Sequence, residues 1–575
     1  MVCHEGHTTS GMLSENVPLA AQQRRKKQST EINSSPCGGK NCQLLSSSND
    51  RSKQKASHRI IFDYPALPEI KICFVITICA VIYGWWCVYS VSKRYQFKIG
   101  SIATLNELPY FGFRFKDQSN WEWSRWAPFA LSYLPFLLLH SVVFNLTEKF
   151  FPHNMWMSLN VALSMATSAY IFTPKLLICS LLQGATIFLS TLCFRRTITV
   201  WLSAVPILYI VMNHSALLSQ DVFLVLLFVS YTLLSYISFC LEWVRGRVPT
   251  DENGQQNTVQ LACRMLFYTF YQPYLFSLIV LYPDFEQQLT ERKIRTRDWR
   301  ETLFFAARVA FWWLIIELGL HFFYFEIILN DLRFAASLPK NEFVTLGMAL
   351  GGFFHLKYVV IFGLPAVFAK LDNMQPPKGP ICISSVALYS KIWRGFDRGL
   401  YAFFKEYIFV PICTPTFSLW RKVTGVFVSY TFVLLWHGFL HQNIIWIVLN
   451  IVELFLEYGG KALYTLQWIR DRREKSISDA NFRRLLGVLQ IVPFAFGLYS
   501  NFYFLGGSEI GWLFVKRIFL EETVTLRWPF FLLITIGYFY MQVAMEKDRR
   551  GGSCPVKLTT DRQGHQSRKK ATRSN

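Results

Sequence analysis

Residues 425–438 read GVFVSYTFVLLWHG, an uncharged apolar run that ends in the tripeptide Trp-His-Gly. The run predicts a membrane-embedded helix with the imidazole of His437 at or inside its edge. An ionisable side chain at this depth is costly to remove from water unless chemistry or a partner compensates. His437 is therefore a candidate functional residue, and the alternative is a structural histidine bonded to a carbonyl group of a neighbouring helix.

Asp397, forty residues upstream of His437, lies in the stretch WRGFDRGL at 393–400. Aromatic and basic residues alternate around it, a composition that suits the membrane interface, where basic side chains snorkel and aromatic rings anchor. Taken alone, Asp397 predicts a salt bridge with Arg394 or Arg398, because charges near a membrane usually pair.

Composition places both stretches in a membrane protein. The chain has 575 residues, of which 52% are hydrophobic and 17% aromatic. Its apolar runs predict an all-α polytopic membrane protein with roughly ten to twelve transmembrane helices of ~20 residues, plus re-entrant or interfacial helices. One aromatic-rich run, 261–282, is counted among these apolar segments.

The net charge is +22. Nucleic-acid binding is one interpretation of so basic a chain, but much of the surplus lies in two polar tails. The positive-inside rule explains it better and predicts that both tails are cytosolic. We expect disordered basic tails at 1–59 and 546–575, because such sequences bury too little apolar surface to fold. Between them we expect a membrane domain at 60–545, with its motifs at 340–520.

Further blocks surround the two central stretches: KYVVIFGLPA at 357–366, Cys382 fifteen residues before Asp397, the segment from Tyr407-Ile408 to Pro411, and SNFYFLGG at 500–507. In this order they resemble the membrane-bound O-acyltransferase family, and within it the hedgehog acyltransferase branch. Most of the superfamily has Asn or His where this chain has Asp397. One departure is the sequence Ile-Cys-Thr-Pro after Pro411, where relatives usually have two glycines.

The resemblance implies that His437 is the general base and that Asp397 has a catalytic part. An imidazole titrates near neutral pH, so it can take a proton from an attacking amine or hydroxyl group. Asp397 could orient His437, hold a cationic amine before attack, or act through a water molecule. These three roles stay open.

Three more side chains complete the predicted site. Asn501 is a candidate oxyanion donor or substrate clamp, and Trp393 is a candidate gate or wall of an acyl tunnel, with an interfacial anchor as the alternative. The resemblance implies that Cys382 binds the iron of a haem B, which needs only one axial thiolate from the protein. S-palmitoylation of Cys382 or Cys413 is the competing hypothesis.

The resemblance further implies transfer of palmitoyl from palmitoyl-CoA to the N-terminal cysteine amine of a secreted hedgehog-type signalling protein. An acid is a sensible partner for an acceptor that arrives as an ammonium. The expected location is the endoplasmic reticulum membrane, or the Golgi, with membrane lipids as partners and no nucleic acid. The basic segment 284–300 suits anionic headgroups or the phosphate-rich donor. Alternatives are a serine hydroxyl or lipid acceptor, and a non-catalytic regulator or transporter.

Overall fold

The computed structural model describes residues 64–101, 104–108, 110–249, 257–383, 386–521 and 528–550. The compact unit that contains them begins at Tyr64. The predicted tail 1–59 lies outside the described residues, as does the predicted C-terminal tail beyond Arg550. The last helix continues to Arg550, so the first five residues of that predicted tail are helical.

The chain up to the middle of the sequence forms helices and one hairpin. In order these are α1 (Ile70–Tyr95), β1 (Thr104–Leu108), β2 (Gly112–Lys116), α2 (Trp121–Phe150), α3 (His153–Ile171), α4 (Pro174–Phe194), α5 (Thr197–Asn213), α6 (Ser215–Leu218), α7 (Val222–Leu224), α8 (Ser230–Val244), α9 (Thr258–Thr269) and α10 (Tyr282–Glu291).

The second half of the described chain contains further helices. In order these are α11 (Trp299–Gly319), α12 (Phe325–Asn330), α13 (Leu332–Ser337), α14 (Lys340–Leu371), α15 (Tyr389–Gly395), α16 (Arg398–Phe404), α17 (Val410–Cys413), α18 (Leu419–His437), α19 (His441–Thr465), α20 (Gln467–Ser476), α21 (Asp479–Leu489), α22 (Ile491–Val515) and α23 (Trp528–Arg550).

The predicted all-α polytopic class is confirmed. Eight helical stretches among the described residues are long and apolar enough to cross a membrane, and the shorter apolar helix α5 lies among them. The eight are Ile70–Ile99, Trp121–Phe150, Pro174–Phe194, Val222–Val244, Trp299–Gly319, Lys340–Leu371, His441–Thr465 and Asp479–Ile518.

A β-hairpin occupies the polar loop between the first two of these stretches. Its strands β1 and β2 are antiparallel, with Leu105 opposite Phe115. The Lys116 ammonium at its end lies 2.5 Å from a carboxylate oxygen of Glu317 in α11. This ion pair fixes the hairpin to the C-terminal end of a spanning helix, a contact that hydropathy does not indicate.

The aromatic-rich run 261–282 is not a spanning helix, which corrects the expectation from its hydropathy. Helix α9 ends at Thr269, and residues 270–281, which we call the buried loop, contain only one short 3₁₀ turn around Pro273. Every residue of this loop is buried. Proline has no backbone N–H and stops a helix. Irregular backbone at membrane depth is tolerated because protein surrounds it and bonds to it, as Tyr268 does by donating to the Val280 carbonyl (2.6 Å).

Part of the predicted basic segment 284–300 belongs to the core. Arg292 is buried and donates to the backbone carbonyl of Asp372 (2.8 Å), and its guanidinium lies 2.9 Å from Glu148. Asn145 and Tyr271 donate to the Asp372 carboxylate at 2.9 Å and 2.8 Å. Burial raises the pKa of Asp372 to about 6, although these hydrogen bonds oppose the shift. Arg292 therefore serves the fold rather than a headgroup or a donor.

A second buried arginine joins three distant parts of the sequence. Arg483 of α21 is fully buried. Its guanidinium donates to the backbone carbonyl of Pro65, before α1, and to the carboxylate of Glu546 in α23 (3.0 Å). The side-chain amide of Gln542 accepts a further hydrogen bond at 3.3 Å. One side chain thus holds the start of the described chain against its last helix.

We predict that Arg292→Met destabilises the protein by about 3–5 kcal/mol, because it leaves the buried carboxylate of Asp372 and the half-buried carboxylate of Glu148 without their cation. The measurement is the midpoint temperature of thermal unfolding in detergent. Lys293→Met is the matched control, since Lys293 is the adjacent residue and is exposed, and its replacement should change stability by less than about 0.5 kcal/mol. Equal midpoints for both variants would contradict the assignment of Arg292 to the core.

Candidate active site

His437 is the last residue of α18, and a side chain satisfies the carbonyl groups at this helix end. Asn443 of α19 donates its amide to the carbonyls of His437 (2.7 Å) and Gly438 (3.0 Å). Gly438 has a φ of +85°, a conformation that glycine adopts without strain. Because exposed helix carbonyls need partners, this cap fixes the backbone that carries the imidazole.

The imidazole of His437 contacts two aromatic rings edge-on. Its centroid lies 5.1 Å from that of Trp446 in α19 and 5.1 Å from that of Phe504 in α22, at interplanar angles of 88° in both cases. The Trp446 and Phe504 rings stack on each other at 4.2 Å. His437 is thus half-buried and held by ring packing between two helices.

Trp393 extends this stack. Its ring lies 5.6 Å from that of Trp446, and its indole N–H donates to the side-chain oxygen of Asn450 (3.0 Å). Trp393, Trp446 and Phe504 together form what we call the aromatic wall. The wall places Trp393 next to the ring that contacts His437, and its role as a tunnel wall or gate stays a prediction.

Asp397 caps the N-terminus of α16. Its carboxylate accepts a hydrogen bond from the backbone N–H of Leu400 (2.8 Å), a favoured role for Asp at a helix start. Burial raises the pKa of Asp397 to about 6, against the effect of that hydrogen bond. The salt bridge predicted with Arg394 or Arg398 is absent among the described residues, because Arg394 bonds instead to Ser390 of its own helix (2.9 Å).

A close backbone approach determines where Asp397 lies. A Cβ atom on Gly399 would sit 2.0 Å from the carbonyl oxygen of Ile279 in the buried loop, so only glycine allows α16 to pack there. This contact explains the glycine two residues after the Asp in the WRGFDRGL stretch. The contact anchors α16, the short helix that Asp397 caps, and so fixes this helix to the centre of the protein.

Aromatic rings connect the two predicted catalytic residues. Phe396, next to Asp397, stacks on Phe354 at 5.0 Å and 3°. Phe354 in turn lies 6.1 Å from Phe504, the ring that contacts His437. No hydrogen bond joins Asp397 to His437 in the described part of the chain. The contact between the two residues is indirect and runs through the rings of Phe396, Phe354 and Phe504.

Glu122 is a member of this site that the sequence analysis missed. It lies in the first turn of α2, 2.6 Å from the Lys357 ammonium, and accepts a hydrogen bond from the Tyr358 hydroxyl (2.9 Å). Its carboxylate is close enough to His437 to interact electrostatically. The only signal in the sequence was an acid between tryptophans at the start of an apolar run.

Asn501 lies on α22, three residues before Phe504, so both side chains share one helix face. Its amide nitrogen donates to the backbone carbonyl of Gly497 (2.8 Å). Because a side-chain NH₂ group carries two donor hydrogens, one stays available to a substrate oxygen. The predicted role as oxyanion donor is compatible with this geometry.

Cys382 lies in the segment between α14 and α15, and its thiol is partly exposed. It is within electrostatic range of His355, whose buried Nδ1 has no hydrogen-bond partner. The described residues contain no group of three or more potential metal-ligating side chains, but a haem needs only one axial thiolate, so Cys382 fits that requirement. Cys413 is fully buried and is not accessible for S-palmitoylation.

Comparison with known proteins settles the family. Residues 179–500, more than half of the chain, match the sequence model of MBOAT, the membrane-bound O-acyltransferase family. This chain belongs to the membrane-bound O-acyltransferase family. The family and the enzyme class predicted from the motifs are confirmed, and the protein is a multi-pass membrane acyltransferase.

Two relatives match this acyltransferase over most of their length. "Protein-cysteine N-palmitoyltransferase HHAT" of Mus musculus is 25% identical over 493 residues, which cover 82% of this chain and 96% of the mouse protein. "Protein-cysteine N-palmitoyltransferase Rasp" of Drosophila melanogaster is 27% identical over 468 residues, which cover 79% of this chain and 90% of the fly protein. The resemblance to the hedgehog acyltransferase branch is confirmed.

We predict that Gly399→Ala abolishes most acyl transfer, because the added methyl group must displace the Ile279 carbonyl and with it the start of α16. Overpacking of this kind costs about 1–3 kcal/mol or more. The measurement is turnover of the acyl donor by purified protein, with thermal unfolding in parallel. Gly379→Ala is the control, since a Cβ there meets no atom within 4 Å; equal activity of the two variants would refute the role of the contact.

Proposed function

We propose that this acyltransferase transfers palmitoyl from palmitoyl-CoA to the N-terminal cysteine amine of a secreted hedgehog-type signalling protein. The observation that carries the proposal is the pair His437 and Asp397, an imidazole and a carboxylate connected by a continuous set of aromatic rings. The two long relatives support it, since both are named protein-cysteine N-palmitoyltransferases.

In this reaction the acceptor nitrogen attacks the thioester carbonyl carbon. A C–N bond forms, the C–S bond breaks, and coenzyme A leaves as the thiol. The ammonium loses one proton to solvent before it attacks as the neutral amine. His437 takes the second proton as a general base and passes it to the leaving thiolate. The aromatic rings around His437 exclude water, which would otherwise compete with the amine for the thioester.

Asp397 holds the acceptor in this proposal. The lack of a hydrogen bond between Asp397 and His437 among the described residues favours binding of the incoming ammonium over orientation of the imidazole. A carboxylate attracts an ammonium group, whereas an amide would suffice for a hydroxyl acceptor. Asn501 donates a hydrogen bond to the developing oxyanion, and Trp393 forms part of the acyl tunnel.

Glu122 acts on His437 through charge. A carboxylate near the imidazole favours the imidazolium that forms when His437 accepts the proton. Lys357 and Tyr358 hold Glu122 in place at 2.6 Å and 2.9 Å. Glu122 is thus a positioning residue that stabilises the charge produced during the reaction.

The membrane arrangement is also part of the proposal. We place the enzyme in the endoplasmic reticulum, with both tails in the cytosol, because the positive-inside rule assigns basic tails to that side. Residues 60–545 form the membrane domain. The donor then approaches from the cytosolic side and the secreted acceptor from the lumenal side.

The proposal is tested by incubating purified protein with palmitoyl-CoA and a peptide whose N-terminal sequence is Cys-Gly-Pro-Gly, followed by mass measurement of the acylated peptide. We expect His437→Ala to reduce the rate by about 10²–10⁴-fold, the usual contribution of a general base. Asp397→Asn should also lose most activity, although it keeps the cap on α16, because Asn caps helices as well as Asp does. The loss then reports the missing charge rather than misfolding.

His441→Ala serves as the control, since His441 is an exposed histidine four residues beyond His437. It should keep wild-type activity. Blocking the N-terminus of the peptide should abolish the product. Two results would contradict the proposed acceptor and indicate a different one. The first is no product from folded wild-type protein, and the second is product from a blocked peptide that carries a serine.

A haem B bound through Cys382 is the remaining element of the proposal. It would brace the segment between α14 and α15, and none of the steps above requires it. We expect a Soret absorption band from purified wild-type protein and none from Cys382→Ala. Cys263→Ala is a control because Cys263 is also a partly exposed cysteine, and loss of the band in this variant too would exclude Cys382 as the specific ligand.

A further inference from the structure

A small cleft lies beside Asp397, where the buried loop meets the start of α16. Ser277 lines it from the buried loop, and Asp397 and Arg398 line it from the other side. Much of the remaining wall is apolar, including Phe362 of α14 and Phe396. The cavity volume is about 10 Å³, which is close to the least that one water molecule needs. We call this space the Asp397 cleft.

Ser277 places a buried hydroxyl group at the Asp397 cleft. The residue is 3% exposed, and its hydroxyl has no hydrogen-bond partner among the described residues. A buried hydroxyl in this situation is costly and calls for an explanation. The φ of Ser277 is +66°, a left-handed conformation that glycine adopts without steric cost. The backbone here favours glycine, so the hydroxyl is the feature of this position that needs a role.

Arg398 lines the same cleft and carries an unpartnered donor. Its side chain is half-buried, and its buried Nε has no hydrogen-bond partner in the part of the chain that the structure describes. The Asp397 carboxylate supplies the acceptors. A carboxylate has about four acceptor sites, and the Leu400 N–H uses one of them at 2.8 Å. The cleft therefore combines a hydroxyl, a donor and an acceptor.

A neutral molecule suits this combination better than an ion does. An anion in the cleft would face the Asp397 carboxylate, and a cation would face the Arg398 guanidinium. Water both donates and accepts, and a buried water molecule usually makes about three hydrogen bonds. The three polar groups at the cleft match that number, and the cavity volume matches one molecule.

We propose that the Asp397 cleft binds one water molecule and that Ser277 is a positioning residue, which holds the Asp397 carboxylate through this water. The water accepts a hydrogen bond from the Nε–H of Arg398, bonds to the Ser277 hydroxyl and donates to Asp397. The inference rests on the proposed catalytic part of Asp397 but not on the identity of the acceptor. The buried loop then fixes the side chain of Asp397, in addition to the backbone of Gly399.

The bound water favours the ionised form of Asp397. Burial raises the pKa of Asp397 to about 6, and a hydrogen bond donated to a carboxylate lowers its pKa. The charged or titratable groups that face Asp397 from its own helix and from neighbouring elements are Arg398, Lys378, Tyr231 and Tyr358. A substitution at Ser277 changes none of these groups. A rise in the pKa of Asp397 in such a variant therefore reports loss of the water.

The test is a titration of Asp397 that needs no substrate. Full-length protein labelled with ¹³C-aspartate is titrated in neutral detergent and followed by infrared difference spectroscopy. The carboxyl band that Asp397→Asn removes belongs to Asp397. We expect Ser277→Ala to raise the midpoint of this band by about one pH unit or more, the shift that one hydrogen bond to a charged group produces. An unchanged midpoint would overturn the proposal.

Two further variants control for backbone and folding effects. Ser277→Gly removes the hydroxyl and adopts the left-handed φ without strain, so it should give the same midpoint as Ser277→Ala. Ser164→Ala is the matched control, because the Ser164 hydroxyl is also buried without a partner among the described residues but lies in α3. It should leave the midpoint unchanged. Equal shifts in Ser164→Ala and Ser277→Ala would contradict a local role for Ser277.

A double-variant comparison tests whether one water bridges Ser277 and Arg398. Arg398→Lys keeps the positive charge but replaces Nε by a methylene group, so it should also raise the midpoint. Because one water serves both side chains, the shift in Ser277→Ala/Arg398→Lys should be smaller than the sum of the two single shifts. Additive shifts would mean that the side chains act independently, and they would exclude the bridging water.

Activity gives a second readout that separates this inference from the proposed acceptor. Asp397 acts as a carboxylate in the proposed function, so kcat/KM falls as the pH drops through its pKa. In Ser277→Ala this acid limb should move to higher pH by the same amount as the infrared midpoint. If the infrared midpoint moves but wild-type protein never acylates the peptide, the proposed acceptor fails and the water site stands. If the acid limb moves while the infrared midpoint does not, the water site is refuted.

Discussion

Every backbone N–H and C=O group at membrane depth needs a hydrogen-bond partner, and the rest of this structure depends on this constraint. Lipid offers no hydrogen bonds, so an irregular segment is stable there only when protein surrounds it. Side chains meet this requirement for the buried loop and the residue that follows it: Tyr268 donates to the Val280 carbonyl, and the Ser238 hydroxyl accepts from the Tyr282 N–H at the start of α10 (3.0 Å). Gly399 then packs against the same backbone. The position of Asp397 thus follows from how an unusual segment is accommodated inside the bundle.

The site itself depends on ring packing more than on hydrogen bonds. His437 touches Trp446 and Phe504, and Phe354 and Phe396 continue the contacts towards Asp397. Aromatic edges and faces fix geometry without adding polar groups that would need partners. Ring packing of this kind adds no hydrogen-bond donor or acceptor around His437.

Local patterns predicted His437 and Asp397 as the centre of the candidate site, because both lie in short motifs and the helix before His437 is strongly apolar. The rest depends on contacts between residues far apart in the sequence. Glu122 reaches Lys357 and Tyr358 across two hundred residues, and no local pattern encodes that pairing. Hydropathy also cannot separate a buried irregular loop from a buried helix, so the run 261–282 was wrongly expected to span.

The hydrogen bonds that Arg483 makes to Pro65 and Glu546 have a consequence for biogenesis. A ribosome releases the segment around Pro65 long before it has synthesised Glu546, yet Arg483 needs both partners. The hydrogen bonds that connect the segment before α1 to α23 therefore form only after α23 has been synthesised. A buried guanidinium with half of its partners missing is costly, so the intermediate is unstable. Premature termination near the C-terminus would thus expose a defect at the opposite end of the polypeptide.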